Sequence, residues 1–165
     1  GVRAATAVDV ERRRLGREHV ADLRRCDAAI ATQKERIIAA VAATGTALLE
    51  VHGVGPTVAA IIRGQVGEPA RCSSRDRFAA YNGTAPIEAS TAMVKRHRVN
   101  QRGNRRLNHA MHLIAVTQVA HDTPGRAYYQ RKLAEGKSKK EALRALKRRI
   151  SDAVWRQLQV DLDRR

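Results

Sequence analysis

Residues 8 to 44 contain no proline and a single glycine, Gly16, and they are rich in Ala and Arg. A stretch of that length and composition has few ways to fold other than as one long helix. Apolar residues recur at Val20, Leu23, Ile30, Ile37 and Val41, with Asp27 and Lys34 at the intervening steps. That is the spacing of a heptad seam, so the helix is expected to be coiled-coil-like. Its seam can pair with a second chain or with the rest of this one, and polar residues in a seam set register and partner choice. Gly45 is expected to stop the helix.

The chain is further constrained by a shortage of aromatic residues, which make up 3% of its whole length. Its core must be built from Ala, Leu, Val and Ile, small enough for close helix packing, so a mostly helical chain is expected. The same shortage argues against single-strand readers that stack bases on aromatic platforms. Residues 48–67 read as two helical stretches around a Gly-Val-Gly-Pro turn. Residues 73–81 read as a short helix capped by Ser73 or Ser74, with Phe78 and Tyr81 on one face. Residues 82–104 read as a loop region with a short hairpin over TAMVKRHRV, and 105–121 as an apolar helix ended by DTPG. Residues 126–136 and 138–160 read as two further helices, the second opened by a Ser138–Glu141 capping box. The buried stripe of these helices is expected along Leu133, Leu143, Leu146 and Ile150, with Trp155 anchoring the end. The basic run from Arg131 to Arg149 spreads its Lys and Arg over several faces, as a solvated surface or a further DNA or RNA contact. The fold class is therefore all-α. A long helical segment over 1–45 precedes a compact helical domain over 46–165.

Thirty-two Lys and Arg stand against sixteen acids, a formal charge of +16. A polyanion is the natural partner of such a chain, because neutralising phosphates releases condensed counterions. No apolar run approaches the ~18 residues of a membrane span, and the N-terminal stretch has no signal-peptide pattern. No membrane partner is therefore expected. Cys26 and Cys72 are far apart and show no metal or redox spacing, so reduced thiols and a cytoplasmic setting are the default. His109 and His112 share a helix face, but two ligands do not make a metal site, and no metal is expected in this chain.

Two motifs carry chemistry. The first is LLEVHGVGPTVAAII, which matches the helix-hairpin-helix pattern over 48–64. Gly53 and Gly55 allow backbone conformations closed to other residues, and their N–H groups with the next helix start can meet a phosphate. Pro56 suits the first helical turn. Such contacts position a nucleic acid without reading its sequence. The second motif is KRHRVNQRGNRR. Lys95, Arg96, Arg98, Arg102, Arg105 and Arg106 supply six cations and no acid, with Gly103 just before a helix start. That pattern points to a DNA- or RNA-binding surface.

The strings YNGTAPIEAS, KRHRVNQRGNRRLNHAMHLIAVTQ and GRAYYQRKLAEGKSKKEALRALKRRISDAVWRQL resemble the C-terminal transposase domain of the IS110 group. The resemblance is dense from about Leu48 to the C-terminus. It implies a site-selective DNA recombinase in which a RuvC-like domain with four acidic metal ligands precedes a coiled coil and this domain. It implies Mg²⁺ in the full-length enzyme and none held by this fragment. It implies DNA as partner, a structured guide RNA in some members, and location at the bacterial nucleoid, while the seam over residues 8–44 makes homo-oligomers the expected assembly. It also implies a nucleophilic serine after a segment matched here by Gly83 to Pro86. The matching residue is Ser90. It is followed by Thr91 and by Ala92 where the family usually has glycine, which leaves Thr91 as the alternate position.

A serine hydroxyl can attack a phosphodiester and hold the strand as a phosphoserine link, with Lys and Arg stabilising charge on the phosphoryl oxygens. Residues 89–121 contain no Asp or Glu, so metal-binding carboxylates would come from elsewhere. By itself the chain is expected to bind nucleic acid and not to cut it. The alternative class is a non-catalytic helix-hairpin-helix module that binds nucleic-acid backbones.

Overall fold

The computed structural model describes residues 6–91, 94–98 and 103–164, with side chains described outside 87–102. The chain resolves into two units, residues 1–39 and 40–165.

Helix α1 runs from Ala7 to Ala43. Its start is fixed by Thr6, whose hydroxyl accepts from Asp9 N–H while the Asp9 carboxylate accepts from Thr6 N–H and hydroxyl. These bonds hold the Asp9 carboxyl below its ordinary range. Along the first unit Arg14 ties Glu11 to Glu18 at helical spacing. The seam residues Val20, Leu23 and Ile30 are exposed. The long helix expected from the sequence is present and stops two residues before Gly45.

The second unit is built around two helices. Helix α4 (Arg105–Ala120) turns Leu107, Ala110, Met111, Ile114 and Ala115 inward, all fully buried. Their three- and four-residue spacing makes one apolar stripe. Helix α6 (Lys139–Asp163) packs against it with Ala142, Leu146, Ile150, Val154 and Leu158. It opens with the full Ser138–Glu141 capping box. Helix α2 (Pro56–Val66) lies against α4, the short α3 (Arg75–Tyr81) against α6, and α5 (Pro124–Ala134) against both α4 and α6. Ser74 is the cap of α3, and Phe78 is in the core. Tyr81 is at the surface instead, its hydroxyl donating to the Gln65 carbonyl at 3.0 Å. Trp155 is half-buried, and its indole N–H donates to the Cys72 carbonyl at 3.1 Å. Among the described residues the fold is all-α with a single two-stranded hairpin inserted between α3 and α4.

Two local expectations need correction. The segment 48–64 holds one α-helix, α2, and not two. Residues Ala47–Glu50 form a four-residue 3-10 turn, capped by Thr46. Its N-terminal end is held from a distance: the Asp161 carboxylate on α6 accepts from the Thr46 hydroxyl, from Ala47 N–H at 2.7 Å and from Arg63 Nη1 at 3.0 Å. That buried network, absent from any local pattern, shapes the segment. Second, of the two turn glycines only Gly53 needs to be one. Its φ is +88°, and an added Cβ would lie 3.2 Å from the Ile114 carbonyl oxygen. Gly55 is extended, at φ −89° and ψ 173°, and is simply the cap position of α2. The turn packs onto α4, where Gln118 Nε2 donates to the His52 carbonyl at 2.7 Å.

Candidate nucleic-acid interface

The hairpin consists of β1 (Ile87–Thr91) and β2 (Val94–Arg98). It is longer on its first strand than the TAMVKRHRV segment implied, so Ser90 lies in a strand and not in a loop. The antiparallel register sets Ser90 opposite Lys95, Thr91 opposite Val94, Ala89 opposite Arg96 and Ile87 opposite Arg98. Directly opposed residues on an antiparallel pair are immediate neighbours. The backbone register thus sets the candidate nucleophile opposite Lys95, one position from Arg96 and three from Arg98. Arg102 lies outside the described residues.

Both stalks of the hairpin are fastened to the helical core. On the first stalk, Asn82 is fully buried. Its Nδ2 donates to Ser151 Oγ on α6 at 2.8 Å, and its Oδ1 accepts from Thr84 N–H and hydroxyl. On the second stalk, Asn104 N–H donates to the Tyr81 carbonyl at 2.7 Å, and its Oδ1 accepts from Leu107 N–H, capping α4. The stalks touch at Gly83 and Gly103, where an added Cβ on Gly103 would lie 2.5 Å from Gly83 N. Only glycine permits that approach.

Below the stalks an open cavity of about 510 Å³ is lined by Arg105, Asn108, His109, His112 and Lys147, with the two stalk glycines at its rim. Asn108 organises it. Its Nδ2 donates to the Asn82 carbonyl at 2.9 Å and its Oδ1 accepts from Lys147 Nζ at 2.6 Å. Burial pushes the Lys147 ammonium below its ordinary value. Burial likewise lowers His112, with the Lys147 and His109 charges acting in the same direction. Of these lining residues the sequence marks Arg105 within the 95–106 cluster and Lys147 within the 131–149 basic run without singling it out, reads His109 and His112 as ordinary helix positions, and gives no sign of Asn108. The three-residue spacing of the histidines was the available signal. The contact between residues 108 and 147 was not visible in either local pattern.

Arg106 is exposed beside Arg105 at the start of α4. Gly53 and Gly55 are on the other end of the α2–α4 packing, with Gly53 against Ile114 and Thr117. Further along, Tyr128 on α5 is ringed by Arg149, Arg131 and Lys132, with the first 4.6 Å from the ring centre. Among the described residues no three His, Cys, Asp or Glu side chains cluster. The cavity offers nitrogen donors and cations where Mg²⁺ requires oxygen ligands, so these residues do not fit that ion.

The model of the transposase IS116/IS110/IS902 family matches residues 45–130, just over half of the chain. The chain belongs to that family. It is 32% identical over 113 residues to the 42 kDa protein of insertion element IS900 from Mycobacterium paratuberculosis, covering 67% of this chain and 28% of the relative. It is 33% identical over 108 residues to the 44.8 kDa protein of IS116 from Streptomyces clavuligerus, covering 64% and 27%. It is 34% identical over 117 residues to the 43.6 kDa protein of IS110 from Streptomyces coelicolor, covering 64% and 29%. The transposase-family chain thus spans less than a third of these relatives. The family match contains the hairpin, its stalks and most of the basic cavity. Lys147 lies beyond its end. Among the described residues no helix is long and apolar enough to cross a membrane.

Proposed function

We propose that the chain is the nucleic-acid-binding and strand-transferring portion of a transposase, with Ser90 as its nucleophile. One observation carries the reading. The hairpin register opposes Ser90 to Lys95, on a hairpin whose two stalks are both bonded to the core. In the step proposed, Ser90 Oγ attacks a backbone phosphorus and loses its proton. An Oγ–P bond forms, one P–O bond of the strand breaks, and the departing strand-end oxygen takes up a proton. Lys95, Arg96 and Arg98 on β2, Arg102, and Arg105 and Arg106 on α4 bind the phosphates flanking that site. Gly53 and Gly55 with the start of α2 supply a separate backbone contact. Thr91 is the alternate nucleophile.

The rest of the assignment follows the family. The transposase domain proper is 46–165, and residues 1–45 are a coiled-coil segment whose seam, exposed at Val20, Leu23 and Ile30, joins copies of the chain. Divalent metal is held by acidic residues outside this chain. DNA is the substrate, bound at the nucleoid, and a guide RNA would use the same cationic surface. The test is an element-mobility assay with the full-length protein. Ser90→Ala is expected to abolish transposition while leaving DNA affinity within about twofold, since the change removes no charge. Normal transposition by Ser90→Ala, with Thr91→Ala also active, would leave the domain a non-catalytic positioning module.

A further inference from the structure

Lys147 is an exception among the half-buried cations of the second unit. Arg63 pairs with Asp161, Lys132 with Glu135, and Arg148 with both Asp76 and Asp152. Among the described residues Lys147 has only the neutral Asn108 amide as hydrogen-bond acceptor, and no carboxylate of theirs lies within ion-pair reach. A desolvated ammonium without a counter-charge is unfavourable, and an arriving anion relieves that cost. The groups around it have the same preference. Arg105 and Lys147 bring positive charge, His109 and His112 bring ring nitrogens, and none of the lining residues is acidic. The cavity therefore disfavours a metal cation and suits an anion.

Its size and setting narrow the choice. About 510 Å³ is far more than a carboxylate fills and accommodates a phosphodiester with its neighbouring sugar. The rim is the Gly83–Gly103 contact, at the root of the hairpin whose second strand carries Lys95, Arg96 and Arg98. We propose that this cavity seats one backbone phosphodiester of the bound nucleic acid, with Lys147 Nζ as its central donor and Arg105, His109 and His112 around it. Asn108 is the positioning residue, holding Lys147 with one amide atom and the Asn82 carbonyl with the other. The inference rests on the nucleic-acid-binding reading above and adds to it a site on α6, outside the basic run of 95–106.

The test measures affinity of the whole 165-residue chain for a labelled random-sequence DNA duplex and for an RNA hairpin, by anisotropy across a series of NaCl concentrations. Lys147→Gln keeps an amide that can still donate to Asn108. It is expected to weaken binding about tenfold, as loss of a charged hydrogen bond does. It should also flatten the slope of log affinity against log salt by about 0.9 for duplex DNA. Arg12→Gln removes the same charge from the exposed face of α1 and is expected to leave the slope unchanged. His109→Glu, at an exposed lining position that the reading above gives no role, sets a carboxylate in the cavity and provides a second reading should Lys147→Gln unfold. A loss confined to one probe assigns the phosphate to DNA or to RNA. Wild-type slopes in both cavity variants, or losses no larger than that of Arg12→Gln, overturn the phosphate seat while nucleic-acid binding stands. Failure of the unaltered chain to bind either probe overturns both.

Discussion

Replacing Asp161 by alanine removes the acceptor that holds three elements together. The carboxylate is buried, at 7% exposure, and it accepts from the Thr46 hydroxyl, from Ala47 N–H and from Arg63. Ala47 is 1% exposed, so its N–H has no water to turn to, and a buried donor left unsatisfied costs about 1–3 kcal/mol. The Thr46 hydroxyl can rotate, which puts its loss at the lower end of the same range, about 1 kcal/mol. The Arg63 side chain is 26% exposed and can swing towards solvent, so it adds little. The sum is about 3 kcal/mol, a large part of the ~5–15 kcal/mol that stabilises an ordinary domain. Asp161→Asn retains an oxygen for Ala47 N–H and is expected to cost about half as much. Urea unfolding followed by far-UV circular dichroism measures both. The expected result is a lower midpoint with an unchanged slope, in the order wild type, Asn, Ala. An alanine variant within about 0.5 kcal/mol of wild type, the range of ordinary surface changes, would refute the claim that this network fastens the 3-10 turn to α6.

Two further outcomes are expected. Gly103→Ala places a Cβ 2.5 Å from backbone at Gly83, so the stalks must part. It should lose about 1–3 kcal/mol in the same unfolding assay, as overpacking does, and should lower transposition beyond what the stability loss explains. For pH, burial holds His112 below the ordinary histidine value of 6.5 in the folded chain. The unfolded chain then binds more protons between the folded value and 6.5, so stability falls as pH drops through that window. Unfolding free energies at about pH 7.5 and pH 5.5 should therefore differ less in His112→Gln than in wild type, and an equal difference would contradict the placement of His112.

What the sequence made legible was local and periodic. Ser138 and Glu141 announce the start of α6 because a capping box is satisfied within four residues. The stripe of α4 from Leu107 to Ala115 is visible as spacing alone. The family resemblance pointed to Ser90, and the density of charge over 95–106 pointed to Lys95, Arg96 and Arg98 as candidate nucleic-acid contacts. The unseen parts depend on contacts between distant residues. The 48–64 segment has helix-like composition, yet Asp161, more than a hundred residues away, holds its beginning as a 3-10 turn. Gly55 looks equivalent to Gly53 in the sequence, but only Gly53 is pressed against α4. Lys147 sits in a basic run where every cation looks alike. Its burial beside Asn108 singles it out, and that requires α4 and α6 to be packed together.

The most direct measurement is a search for a covalent protein–DNA adduct, with the attachment residue mapped by mass spectrometry. The full-length protein would be given element-junction DNA, Mg²⁺ and any guide RNA, and stopped under denaturing conditions. The account expects a phosphoserine-linked peptide containing Ser90, lost in Ser90→Ala and retained in Thr91→Ala. An adduct carried by any other residue, or recombination without an adduct in a protein lacking Ser90, would contradict it.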